Sequence, residues 1–346
     1  MKKLIFYVFT FILFLFSTNP AESLGALEEI LNPTAIKIHQ NRLYVLEGQA
    51  IHIFALDDLR PLGQFGREGE GPGEIKKSAF YTCDFFFLDD RILVDSLDKL
   101  LFFSREGKFL SEQKKRIVLG MEVKPVGKNY VVKALDRSDG KTEYHTISIY
   151  NSRFEKLKEI FRQISPVQLT STDMVKDPPY FCVIDDRIFI DHSPQGFTIK
   201  IFDPEGNSQG KIQKPYQPVP VTDLDRKQIL EEYKSDPLVR SIGFENLKNR
   251  IKFKFANHFP PIQSLHAFEG LLCLKTPVRK ENKTKFLFMT PEGKTVADLW
   301  VPPLPVQRGI GVLNGTSDCF YAKAGDYFYY LQENDETWTL NRISLK

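Results

Sequence analysis

Apolar and polar positions along the chain fall into short β-rich runs that come in pairs, each pair separated by two or three polar residues, which is the pattern of a hairpin. Six such pairs can be read: Thr34–Ile38 with Arg42–Leu46, Cys83–Phe87 with Arg91–Asp95, Met121–Pro125 with Asn129–Ala134, Tyr180–Ile184 with Arg187–Asp191, Ser264–Phe268 with Leu271–Lys275, and Cys319–Lys323 with Tyr327–Gln332. Two of them recur almost word for word, Asp84-Phe85-Phe86-Phe87-Leu88-Asp89-Asp90-Arg91-Ile92-Leu93-Val94-Asp95 and Val183-Ile184-Asp185-Asp186-Arg187-Ile188-Phe189-Ile190-Asp191. The linking residues, among them Gln40-Asn41, Asp89-Asp90, Glu269-Gly270 and Gly325-Asp326, tolerate tight-turn dihedrals.

After each of the first five hairpins a second pair of strands follows, for instance Leu100–Ser104 with Lys108–Gln113 and Lys285–Met289 with Thr295–Val301. Three of these second pairs are joined at Glu106-Gly107, Glu205-Gly206 and Glu292-Gly293. A repeating unit of four strands is a propeller blade. The sixth hairpin has only one further strand after it, Thr337–Leu345, while Leu24–Leu31 stands unassigned ahead of the first. The pattern therefore predicts an all-β, six-bladed β-propeller with 3+1 strand closure, in which the N-terminal segment supplies the outer strand of the last blade and removes an exposed sheet edge. Each blade then takes about 54 residues, a little more than a bare blade needs, and long loops absorb the excess. A β-sandwich or β-helix shares the turn statistics but fits six four-stranded units less well. The 29 phenylalanines suit the widening wedges between blades.

Ahead of this domain, Lys2 and Lys3 precede an apolar run from Leu4 to Phe16, the length of a signal-peptide core and short for a membrane span. The expected division is a signal peptide over residues 1–23, with cleavage after Ser23, and one domain over 24–346. No cysteine precedes Cys83, so a lipid anchor is not expected. An exported protein, periplasmic or extracellular and without stable membrane insertion after cleavage, is the expectation. The formal net charge of +3 is nearly balanced and argues against a nucleic-acid partner. Four cysteines, Cys83, Cys182, Cys273 and Cys319, allow three pairings that the sequence does not choose between. Their placement in apolar segments of four different blades favours buried thiols.

The connector Gly66-Arg67-Glu68-Gly69-Glu70-Gly71-Pro72-Gly73-Glu74-Ile75 resembles the blade connections of six-bladed propellers related to NHL repeats, and Ile92-Leu93-Val94-Asp95 and Ile188-Phe189-Ile190-Asp191 echo a phrase typical of NHL blades. The resemblance is to an NHL-like superfamily, runs through essentially all of the domain as a blade pattern, and implies a fold rather than an activity. Read physically, the connector's glycines permit the tight turns by which the chain leaves one blade's outer edge for the next blade's centre. A phosphate-binding loop is not implied, because no strand-helix-strand unit surrounds it.

The loops joining blades share a face with those joining second and third strands, and they are long: Gly66–Ala79, Arg162–Pro179, Lys214–Gln263 and Pro302–Asp318. One-sided elaboration points to function on that face. The insertion at about 214–263, between blades four and five, opens with Thr222 as a helix cap and Asp225 three residues on, and predicts a helix to Lys234. It reads equally as a lid or docking element and as a clamp on the side of the blades. Arg67, Glu74, Asp95, Asp191, His192 and Arg279 are the candidate ligand- or partner-binding residues. Around them Lys99, Asp136, Arg137, Asp139, His145 and Lys280 form a mixed polar rim. Asp136-Arg137-Ser138-Asp139-Gly140 reads as a turn rather than a calcium loop.

No H-E-x-x-H, G-x-S-x-G or clustered Cys/His set appears, so no catalytic residue, metal ligand or cofactor is assigned. The expected function is a binding or scaffold module for a protein, peptide or glycan on the long-loop face. The alternative is a propeller hydrolase or lyase with an axial metal ion. The first strands offer only Asp84, Glu122 and His266 toward such an ion.

Overall fold

A computed structural model describes residues 21–78, 83–115, 122–168, 170–304, 320–334 and 337–346. The expected leader up to residue 20, Met121, Ala79, Cys319 and most of the loop before the sixth blade lie outside the described residues. The chain opens with β1 (Glu22–Ala26). Blade one follows as β2 (Pro33–His39), β3 (Arg42–Glu47), β4 (Ala50–Ala55) and β5 (Pro61–Phe65). Blade two is β6 (Asp84–Phe87), β7 (Arg91–Asp95), β8 (Lys99–Ser104) and β9 (Phe109–Lys114). Blade three is β10 (Glu122–Val126), β11 (Asn129–Asp136), β12 (Tyr144–Tyr150) and β13 (Lys156–Ile164). A short strand β14 (Ser171–Asp173) precedes blade four, which is β15 (Phe181–Ile184), β16 (Arg187–Asp191), β17 (Thr198–Phe202) and β18 (Ser208–Gln213). The insertion carries α1 (Asp223–Ser235), α2 (Pro237–Ile242), α3 (Phe244–Lys248) and β19 (Lys252–Lys254). Blade five is β20 (Ser264–Phe268), β21 (Leu271–Lys280), β22 (Lys283–Met289) and β23 (Thr295–Val301), and blade six adds β24 (Tyr321–Ala324), β25 (Tyr327–Asn334) and β26 (Thr337–Ser344).

Each blade is a four-stranded antiparallel sheet in sequence order, except the sixth, whose order is β24, β25, β26, β1. The six-bladed propeller with 3+1 closure is thus the fold. Its closing strand is shorter and earlier than the run Leu24–Leu31 predicted. Strand pairing runs from Glu22 opposite Arg342 to Ala26 opposite Thr339. Beyond it the chain turns inward, with Ile30 N–H donating to Leu27 C=O at 3.0 Å, and both side chains enter the core. The apolar run is therefore half strand and half plug. A cut after Ser23 would fall inside β1 and remove Glu22, whose carboxylate pairs with the Arg342 guanidinium at 2.8 and 3.1 Å.

Burial explains why the second strands read as continuous apolar runs. Ile92, Leu93 and Val94 of β7 and Ile188, Phe189 and Ile190 of β16 are all buried, because successive side chains point to opposite faces and both faces of a blade are covered by neighbours. Six separate apolar clusters fill the six gaps between blades, and the one joining blades six and one carries Leu27, Ile30 and Trp338. The repeated Glu-Gly belongs to this packing. Gly206 sits at φ 76° in a bulged turn, and a Cβ there would lie 2.4 Å from Ile160 on the outer strand of the preceding blade. At the corresponding turn of blade three Phe154 takes the left-handed conformation and buries its ring between blades two and three. Cys83, Cys182 and Cys273 are buried free thiols, as their apolar settings suggest.

The insertion begins as expected. Thr222 caps α1 and Asp225 closes a reciprocal capping box. Among the described residues no helix is long and apolar enough to cross a membrane.

The closure is testable by truncation. A chain starting at Leu27, which lacks β1, is expected to melt at least roughly 5 °C below one starting at Ala21 and to aggregate through the uncovered edge of β26. Equal melting temperatures in a scanning calorimeter would show that β1 is dispensable.

Candidate functional site

The gap between blades three and four becomes polar toward the long-loop face. Its apolar part contains Val131, Ile147, Ile149 and Phe161 from blade three with Phe181, Ile188 and Ile190 from blade four. The strand register carries that face upward. Lys133 is opposite Ile147, and His145 is opposite both Leu135 and Gln163, so Lys133, His145 and Gln163 share the face that their apolar neighbours turn to blade four. Across the gap, Tyr180, Asp191 and His192 bring in backbone and side-chain groups, with the His192 ring edge-on to Phe161 at 5.2 Å.

Two different electrostatic arrangements meet here. Glu122 lies between two ammonium groups, Lys124 and Lys133, each at 2.7 Å. Burial opposes its ionisation, but the two cations outweigh it and bring its carboxyl down to about 2. Lys124 also donates to Phe181 C=O at 2.6 Å, tying the blades together. Burial, aided by Lys133, holds His145 at about 3, so its ring is neutral at physiological pH, and both buried ring nitrogens lack a partner.

The second arrangement is a pair of carboxyls. Asp191 is fully buried, accepts hydrogen bonds from Tyr180 N–H and, at 3.0 Å, from the Ser193 hydroxyl, and is pushed well above the carboxylate range by burial and by Asp177. Asp177 is itself raised to about 6, chiefly by burial and further by Asp173, against the effect of Ser193. A carboxyl pair desolvated in this way is costly to a fold and is the kind of perturbation that concentrates at functional sites.

Above the pair opens a cavity of about 430 Å³ whose lining includes Gln163, Ser165, Asp173, Asp177, Pro194 and Lys254. Its wall is made mainly by the connection between blades three and four, and the insertion adds Lys254. β14 and β19 pair in parallel, and the Asp173 carboxylate accepts from Val175 N–H at 3.0 Å and Ala256 N–H at 3.2 Å. Behind them Val175, Val221 and Phe259 form a small core with Ile229 and Phe255. The insertion thus fastens the connection between blades three and four to the one between blades four and five.

Of the residues expected to bind, Asp191 and His192 belong to this site. The other four are engaged elsewhere. Arg67 and Glu74 pair with each other at 2.8 Å, and Glu74 also accepts Gly71 N–H at 2.7 Å, so the glycine-rich connector closes on its own carboxylate. Asp95 is buried in an ion pair with Lys115 and accepts Val123 N–H at 3.3 Å, linking blades two and three. Arg279 holds Asp225 at 2.9 Å and lies over Phe259, which anchors the start of α1 to blade five. His145 is not a loop residue but a fully buried position of β12. Asp139 accepts Lys141 and Thr142 N–H groups within a turn closed at Gly140, as its sequence suggests.

Lys133, Gln163 and Asp177 are the residues that sequence reasoning passed over. Lys133 did carry a signal, since it interrupts the apolar second strand Val131-Val132-Lys133-Ala134, where a charge must be buried. Gln163 and Asp177 carried none.

The first-strand acids do not fit an axial ion. Asp84 is held by Lys37 at 2.8 Å and Glu122 by its two lysines, while His266 packs edge-on to Tyr321 at 5.0 Å. Among the described residues no group of three or more His, Cys, Asp or Glu side chains is placed to hold a metal ion.

No known family matches the sequence, and no characterised protein matches it. Solved structures do. A member of the DUF4221 family from Bacteroides vulgatus superposes with a TM-score of 0.50 at 8% identity, covering 94% of this chain and 96% of that one. A calcium-binding protein, regucalcin, from Agrobacterium tumefaciens gives 0.43 at 10% identity over 95% and 96%, and a Bacteroides caccae protein of unknown function gives 0.41 at 12% over 78% and 81%. At these identities the likeness is one of fold.

Two substitutions test the electrostatics. Asp177 has its folded value near 6 against 3.8 for a free carboxyl, so wild-type stability falls as pH rises through that window. Asp177→Asn is expected to be more stable than wild type at pH 7.5, by on the order of 1–3 kcal/mol, with the gain vanishing near pH 4 in denaturant titrations. Glu122→Gln should instead cost about 2–4 kcal/mol at pH 7 by stranding two buried ammonium groups. That difference should shrink as pH drops from 4.5 toward about 2, where the wild-type carboxyl is protonated.

Proposed function

We propose that the protein is an exported binding module that takes a protein, peptide or glycan segment into the cavity between blades three and four, on the long-loop face. The observation that carries this reading is a set of buried polar atoms without partners at one place: Gln163 Oε1 and Asp177 Oδ1 in residues lining the cavity, and both ring nitrogens of His145 on the strand beside Gln163. Buried polar groups are nearly always satisfied, and a cluster of exceptions under an open cavity is explained by a ligand or its solvent. Two of the long connections, 162–179 and 214–263, support this site, since the β14–β19 pair joins them beside the cavity.

The reading is checked by melting the protein against panels of short peptides and oligosaccharides, alongside Gln163→Leu. At least one compound class should raise the wild-type midpoint by several degrees, through preferential binding to the folded state, and leave the variant unmoved. Equal shifts in both proteins, or none in either, would refute a site in this cavity.

A further inference from the structure

Most buried or half-buried carboxyls elsewhere among the described residues face a cation: Asp95 has Lys115, Glu122 has two lysines, Asp84 has Lys37, and Asp98, whose Oδ1 also lacks a donor, acts on Lys76. Asp177 is different. Its surroundings are the Ser193 hydroxyl and two further carboxyls, Asp173 and Asp191, and its Oδ1 has no donor although it is buried. Of the cations nearby, Lys133 holds Glu122 at 2.7 Å, Lys176 is brought down to about 8 by burial against the pull of Asp236, and Lys254, an exposed side chain, lines the cavity.

Gln163 adds a second acceptor. Its amide nitrogen donates to the Asp177 backbone carbonyl at 2.8 Å, and this bond fixes the amide so that the remaining group, Oε1, is an acceptor without a donor. The polar floor of the cavity therefore asks for a group that donates at two points and carries positive charge. The lining also has apolar members, the buried Val175, Pro166, Pro194 and Ile164, which is 61% exposed. An aliphatic stem ending in a cation has this shape: apolar along its length and charged at its tip.

Resting on the binding reading above, we infer that the cavity accepts the basic side chain of a peptide, a lysine or arginine whose cationic tip sits between Asp177 and the Gln163 amide oxygen. The bound cation compensates a buried carboxylate that the fold leaves unpaired, and the stem covers the Ile164 rim. Charge on Asp177 is required for this, so binding follows its ionisation. Burial and Asp177 push the Asp191 carboxyl well above the usual carboxylate range, and Asp173, Ser193, His192, Lys133, Lys176 and Lys254 are the other titratable or polar groups around the pair.

The test uses the peptides acetyl-Gly-Lys-Gly-amide and acetyl-Gly-Arg-Gly-amide, with norleucine and Nε-acetyl-lysine in the central position as neutral controls. Binding is read by titration calorimetry or ligand-observed NMR at pH 7.5 and 5.0. At least one basic peptide should bind wild type at pH 7.5, and the neutral controls at least tenfold more weakly. Asp177→Asn, whose melting curve reports that it is folded, should lose tenfold or more. Lowering the pH to 5.0 should weaken the wild-type complex about tenfold, one pH unit below the titration of Asp177, and should leave the variant unchanged. Equal binding of the neutral peptides, retention by Asp177→Asn, or no binding by either basic peptide would overturn the inference. If oligosaccharides or neutral peptides nevertheless gave Gln163-dependent melting shifts, the cavity would remain a binding site and only its charge preference would be wrong.

Discussion

A blade is a sheet with two apolar faces, and no blade in this molecule can bury both of them alone. Everything else in the structure follows from that constraint. The six clusters between blades are each shared by two neighbours, so the ring must close before the last of them exists. Closure falls on the β1–β26 pair and on the plug formed by Leu27 and Ile30, which brings residues more than 300 positions apart in sequence into one sheet and one core. Long-range pairing of this kind is slow to form and cooperative once formed.

The same constraint makes the polar gap conspicuous. A wedge between blades is dry and tightly walled, so a charge placed in one must be matched within hydrogen-bond reach or be driven neutral. Both outcomes occur side by side. Glu122 stays ionised because Lys124 and Lys133 reach it, whereas burial and neighbouring carboxyls push Asp177 and Asp191 toward protonation, and His145 is kept neutral by burial next to Lys133. Stability is given up locally in blades three and four, and it is supported by the apolar packing of the other gaps. Such a trade is common where a site must remain unsatisfied until its ligand arrives.

The insertion is fastened to the ring and also borders the cavity. Arg279 and the small core around Val221 and Phe259 clamp it to the ring, as a structural element would be. Its β19 strand pairs with β14 and adds Lys254 to the cavity wall, which a mere clamp would not need. Because the wall joins two connections rather than closing over one, access to the carboxyl pair depends on residues drawn from widely separated parts of the chain.

The blade count, the four-strand repeat, the helix start at Thr222 and the closure by the N-terminus were all legible in the sequence, since period-two alternation and turn residues are local properties. The Glu-Gly turns were legible as repeats, although only packing shows that Gly206 is needed because Ile160 occupies the space of a side chain. Residues singled out for exposed-looking loop positions fared unevenly, because the sequence does not say what a charged side chain will meet. Arg67 and Glu74 meet each other, Asp95 meets Lys115 and Arg279 meets Asp225, so four of the candidates are absorbed into structure, while Asp191 finds other carboxyls, a hydroxyl and the Tyr180 N–H. The alternation of the chain determined by itself that this protein is a ring of six sheets. Which charges are paired and which are stranded was decided only by tertiary structure, because pairing is set by distances across blades and burial by neighbours that no local pattern encodes.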